Sequence, residues 1–147
     1  MRSKILTETE DGKAKGKIWL LVLDKGEEVK KTLEAFAVAQ KLEAASFVAL
    51  GAFEQATLGY FQWDKKEIPV DEQVEVITLV GDIVRDEKGK PSLHAHAVLG
   101  RSDGSTRGGH LLKAIVRPTL EITLTQSPAH LVRRKHPELG IALIEPA

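Results

Sequence analysis

The hydrophobic pattern divides the chain into short apolar runs separated by polar turns. Ile18-Trp19-Leu20-Leu21-Val22-Leu23 is a nearly continuous apolar run of strand length that stops at Asp24-Lys25-Gly26, and it reads as a central strand. Glu27 and Glu28 then place negative charge in a first helical turn, with Gly26 as the candidate N-cap. Val29, Leu33, Phe36, Ala37 and Leu42 fall near helical spacing, which predicts one amphipathic helix ending between Glu43 and Ser46. Beyond it the pattern is that of strands. Phe47 to Leu50 and Ala56 to Phe61 are two of them, with Gly51 between as a bend or a point of close backbone approach. Val74 to Val84 is a longer strand with Gly81 as a candidate bulge. The polar run Asp86 to Pro91 is a turn, Leu93 to Leu99 a strand, Asp103-Gly104 a tight turn, and Leu120 to Thr125 the last clear strand. One helix against several strands joined by turns predicts an α+β fold: a mainly antiparallel β-sheet with one main amphipathic helix packed on it.

The two ends lack this patterning. Met1 to Lys17 is charged and polar, without the apolar core of a signal peptide, and no later run is long enough to span a bilayer. A cytoplasmic protein is expected. Pro128 to Pro137 carries Arg133, Arg134 and Lys135 between His130 and His136, and reads as a solvated terminal segment.

The length of 147 residues predicts a single domain over 1–147. The 21 basic and 21 acidic residues balance, so no gross electrostatic partner is implied; a DNA-binding surface would ordinarily show a basic excess or stripe. With no cysteine, disulfides, thiolate metal sites and cysteine nucleophiles are excluded. Any metal must be held by His, carboxylate or backbone oxygen.

That restriction directs attention to the histidines. Side chains at i and i+2 of a strand share a face, so His94 and His96 present two imidazoles side by side. After the Asp103-Gly104 turn the chain returns, and Gly108-Gly109-His110 offers a third where two glycines allow close packing or positive φ. Three imidazoles with a fourth position left to water form a recognised zinc ligand set, although imidazole also suits nickel, copper and iron. The competing reading is of strand histidines bonded to neighbouring carbonyls. Glu54, Asp82 and Glu121 are candidates for a fourth ligand or a general base, while Ser102, Ser105 and Thr106 are read as turn formers. A cupin barrel also carries a His-x-His pair, but its following Glu is absent from Ala97-Val98-Leu99-Gly100-Arg101.

The run Leu93-His94-Ala95-His96-Ala97-Val98-Leu99-Gly100, then Asp103-Gly104, then Gly108-Gly109-His110-Leu111-Leu112, resembles the signature of the plants and prokaryotes conserved (PPC) domain family. Leu23 to Glu28, Gly51-Ala52-Phe53, Gly59-Tyr60-Phe61, Arg117 to Glu121 and Gly140 to Leu143 look like further landmarks of its stand-alone prokaryotic members. The resemblance implies a compact α+β domain, a homotrimer, and a metal site with zinc as its occupant. Carried over by residue, the motif histidines are His94, His96 and His110, the three that strand geometry selects.

Plant relatives join this domain to AT-hook segments that grip DNA. An AT-hook needs an Arg-Gly-Arg-Pro core, and this chain has only Arg117-Pro118. The leading expectation is therefore a zinc-binding homotrimeric module, with a small-molecule ligand at the metal as a further partner. A zinc-dependent hydrolase or lyase, and a DNA-associated regulator using Arg133, Arg134 and Lys135, are the alternatives.

Overall fold

The computed structural model describes residues 1–11, 14–60, 66–127 and 131–146. Its elements run β1 (Arg2–Asp11), β2 (Ala14–Asp24), α1 (Val29–Gln40), β3 (Ala44–Tyr60), β4 (Lys66–Val70), β5 (Val74–Asp86), β6 (Pro91–Gly100), β7 (Thr106–Gln126), β8 (Leu131–His136) and β9 (Ile141–Pro146). The strands form one nine-stranded sheet in the order β1-β2-β7-β3-β5-β8-β9, with β4 on β3 and β6 joined to both β5 and β7.

This corrects the expected fold class. The protein is predominantly β, its sheet is mixed because β8 runs parallel to β5, and the helix is one element of 12 residues rather than half of an α+β partnership. The polar N-terminal stretch forms β1 and the start of β2, paired antiparallel from Arg2 opposite Val22. Within the segment read as solvated, Leu131–His136 form β8, which pairs with β5 through Arg85 and Asp86 and with β9. Both misreadings have one cause. Strand pairing satisfies backbone donors and acceptors whatever the side chains are, so a strand rich in polar residues leaves little apolar period to detect. His130 and Phe61 lie outside the described residues.

The two expected strands around Gly51 are a single 17-residue strand, β3. Its register against β5 shifts between Ala49 and Gly51. Gly51 has φ of 151°, and a Cβ there would lie 2.3 Å from the Thr119 carbonyl oxygen of β7, so the chain bends and another backbone approaches at that point. Gly81 is not a bulge. It pairs regularly with Ala95, and a Cβ would meet the His94 carbonyl oxygen at 2.5 Å and the Phe47 ring at 2.6 Å.

Strands β3, β5, β6 and β7 pair in a closed circuit: β3 with β5, β5 with β6, β6 with β7 and β7 back to β3. Alternation along β6 buries Leu93, Ala95, Ala97 and Leu99 and turns His94, His96 and Val98 to the other face. On the core side, α1 contributes Val29, Leu33, Phe36 and Ala37, all buried, and Phe36 meets Trp19 of β2 edge to face at 5.8 Å. Each such large side chain contributes about 1.5–3 kcal/mol by leaving water, which is what holds a 12-residue helix that would be marginal alone. The helix is capped by Glu28, not Gly26: its carboxylate accepts from the Lys30 and Lys31 N–H groups at 3.2 and 2.9 Å. It ends at Gln40, where Lys41 adopts the left-handed conformation at φ 54°.

Candidate metal centre

Adjacent strands carry the three histidines to one place. His94 and His96 project from the same face of β6, and the register of β6 with β7 sets His96 opposite His110. A close approach of β7 to β3 fixes His110: it is the register partner of Gly59, and a Cβ on Gly109 would stand 2.6 Å from the Gly59 carbonyl oxygen. The absent side chain lets the two backbones meet there.

One ring nitrogen from each imidazole lies within 4.8 Å of the others. His94 Nε2 and His96 Nε2 are 3.2 Å apart. Two ligands at the zinc–imidazole bond length and the tetrahedral angle stand about 3.3 Å apart, so this pair has the bite of a zinc chelate. The ring centroids are separated by 5.1, 4.9 and 5.5 Å, and the rings of His94 and His96 are nearly perpendicular at 72°, so the nitrogens converge without stacking.

Electrostatics favours the metal-binding form. Burial, and after it the positive charge of Arg133, holds the His94 imidazolium pKa below its ordinary value. Burial, reinforced by His94 and His96, lowers that of His110 to about 4. Both rings are therefore neutral near pH 7, with lone pairs available to a cation.

The three carboxylates considered as a fourth ligand are placed differently. Asp82 on β5 is the cross-strand partner of His94, but its carboxylate pairs with Arg133. Glu121 on β7 lies opposite Leu50 and Val22, and Glu54 sits beside a register irregularity of β3. Among the described residues no carboxylate joins the three-histidine group. Ser105 is a turn former: its N–H and its hydroxyl donate to Asp103 at 2.9 and 2.6 Å and hold that carboxyl below the usual range.

Arg133 was legible only as part of a basic run. The structure buries it to 6% exposure against Asp82, 51 residues away in sequence. Lys30, on the first turn of α1, also bears on His94 and His110, and neither residue carries a local signal for that placement.

The sequence matches the Plants and Prokaryotes Conserved (PCC) domain over residues 10–128, a span that holds all three histidines. The chain belongs to this family, abbreviated PCC or PPC. The PPC protein of Pyrococcus horikoshii superposes with a TM-score of 0.82 at 27% identity, over 98% of this chain and 96% of its own. A Ralstonia eutropha protein named provisionally as DNA-binding gives 0.82 at 30% identity, over 95% and 96% of the two chains. A metal-containing protein from Archaeoglobus fulgidus gives 0.78 at 30% identity, over 86% and 91%. No curated protein matches the chain.

Proposed function

We propose that this PPC protein binds one divalent metal ion, zinc, through His94, His96 and His110, as a homotrimeric domain spanning residues 1–147 whose metal keeps a position for a small ligand. The observation that carries this reading is the convergence of three ring nitrogens within 4.8 Å. The metal-containing relative from Archaeoglobus fulgidus supports it. An exposed apolar strip supports self-association: Val48 and Val80 face each other across β3 and β5, Val80 neighbours His96 in register, and Leu50 and Ile77 are also exposed.

A DNA-associated role has less support. A relative carries that provisional name, but in this chain Arg133 is buried on Asp82 and Arg134 pairs with Glu145 at 2.9 Å, so the basic run is not a free stripe. Hydrolase or lyase chemistry needs a base beside the ion, and Asp82, the carboxylate nearest in register to His94, is engaged by Arg133. Binding therefore ranks ahead of catalysis.

Metal content decides the matter. Mass spectrometry of protein purified without chelator or nickel resin should find about one zinc per chain, lost in His96→Ala. Equal and negligible metal in both proteins would overturn the reading.

A further inference from the structure

Three neutral imidazoles leave a divalent ion with its whole charge, whereas a carboxylate or thiolate in the set would reduce it. Among the described residues no such group joins His94, His96 and His110. Two side chains arriving from neighbouring elements, Arg133 and Lys30, add positive charge, of which the Asp82 carboxylate offsets one.

Arg133 comes from β8, and its Nη2 donates to the carboxylate of Asp82, the cross-strand partner of His94. Its side chain is 6% exposed, yet among the described residues its buried Nε has no hydrogen-bond partner. An orphaned donor on a buried cation is costly and rare in folded proteins. Asp82 offsets one charge and leaves that donor unused.

Lys30 comes from α1. One turn further along the same helix face, Glu34 accepts from the N–H of Leu93 at 3.2 Å, the residue immediately before His94. The face that carries Lys30 is thus the one turned to the start of β6. Lys30 is half-buried and makes no ion pair among the described residues. A cation in a first helical turn also has the unfavourable sign for the helix dipole, so the helix does not explain it. Both cations bear on His94 and His110.

Resting on the metal reading, we propose that the open position at the three histidines takes a small-molecule oxyanion, a carboxylate or a phosphate, whose negative charge is met by Lys30 and by the unpartnered Nε–H of Arg133. The anion offsets part of the positive charge of the ion and its two cationic neighbours at once, and the buried donor gains an acceptor. A neutral ligand could supply an acceptor but would offset none of the charge.

The test uses the full chain loaded with cobalt(II), whose visible absorption reports a change of ligand at the metal, titrated with acetate, inorganic phosphate and chloride. Acetate or phosphate should bind at least about tenfold more tightly than chloride, and Lys30→Gln should weaken that binding by about tenfold while cobalt content is unchanged. Arg133→Lys, which keeps the charge facing Asp82 but loses the Nε–H, should weaken it as well; Lys30→Gln alone decides the case if that variant fails to fold. A response to acetate only assigns a carboxylate, and one to phosphate only assigns a phosphate. Chloride binding as tightly as either oxyanion, or Lys30→Gln binding like wild type, would overturn the proposal. A chain that takes up neither zinc nor cobalt would overturn the metal reading itself, whereas a loaded chain indifferent to oxyanions would overturn this inference alone.

Discussion

Gly109 shows how a missing side chain positions a functional one. A methyl group there would meet the Gly59 carbonyl oxygen at 2.6 Å and Leu58 Cβ at 3.3 Å, and backbone cannot yield as a flexible side chain can. Gly109→Ala should therefore push β7 away from β3 beside His110, costing about 1–3 kcal/mol in urea titration and lowering metal content. Gly108→Ala is the contrast: its Cβ would meet nothing nearer than the Ala97 carbonyl oxygen at 3.4 Å, and both properties should stay close to wild type. The Gly-Gly pair is readable in the sequence as either close packing or positive φ. Neither glycine has positive φ, and close packing applies at the second. Arg133 shows the reverse case, because a buried arginine on a distant aspartate and an exposed arginine in a basic run have the same local sequence.

At the scale of elements, the turn between β5 and β6 is held by one side chain. Asp86 accepts from the N–H groups of Lys90 and Lys88, each at 2.9 Å, and these bonds keep its carboxyl below the ordinary value of 3.8. A carboxyl with a lower pKa in the folded state stabilises the fold above its unfolded value, and that contribution disappears as pH falls through the folded value. Asp86→Ala should lower Tm at neutral pH, and the gap from wild type should narrow as pH drops below about 4. A gap constant from neutral to acid pH would show that the carboxylate does not hold the turn. The turn and β6 were readable because Asp86 to Pro91 is polar and Leu93 to Leu99 alternates. Strands β1, β8 and β9 were not, since β1 and β9 lie at the sheet edges and β8 pairs with β5 through only two residues, so all three answer to backbone pairing more than to an apolar face. The helix was readable through its buried stripe, but its N-cap was not, because the Glu28 carboxylate folds back to accept from the Lys30 and Lys31 N–H groups, which Gly26 has no side chain to do.

At the scale of the molecule, the mixed sheet brings elements distant in sequence near one another: β6 and β7 supply the histidines, while α1 and β8 carry the two cations whose charge helps to lower the His110 pKa. Its outer face presents Val48 and Val80 to solvent beside His96. If copies associate through that face, the double variant Val48→Asp, Val80→Asp should sediment as a monomer while wild type sediments as a trimer. Two like charges opposed across β3 and β5 would disfavour burial of the strip. A trimer that survives the change would place the interface elsewhere. No helix among the described residues is long and apolar enough to cross a membrane.

The sequence by itself determined the family, the helix stripe, the alternation of the inner strands and the three histidines, because each rests on local chemistry: side-chain period, glycine permissiveness, and imidazoles at i and i+2. Only the tertiary structure decided that the sheet is mixed and has nine strands, that Asp82 is held by Arg133, and that the charges of Lys30 and Arg133 lower the imidazolium pKa of His94 and His110. These depend on which strand pairs with which across tens of residues. Pairing is driven by backbone hydrogen bonds common to all residues and by burial summed over the whole sheet, and neither leaves a mark on any one stretch of sequence.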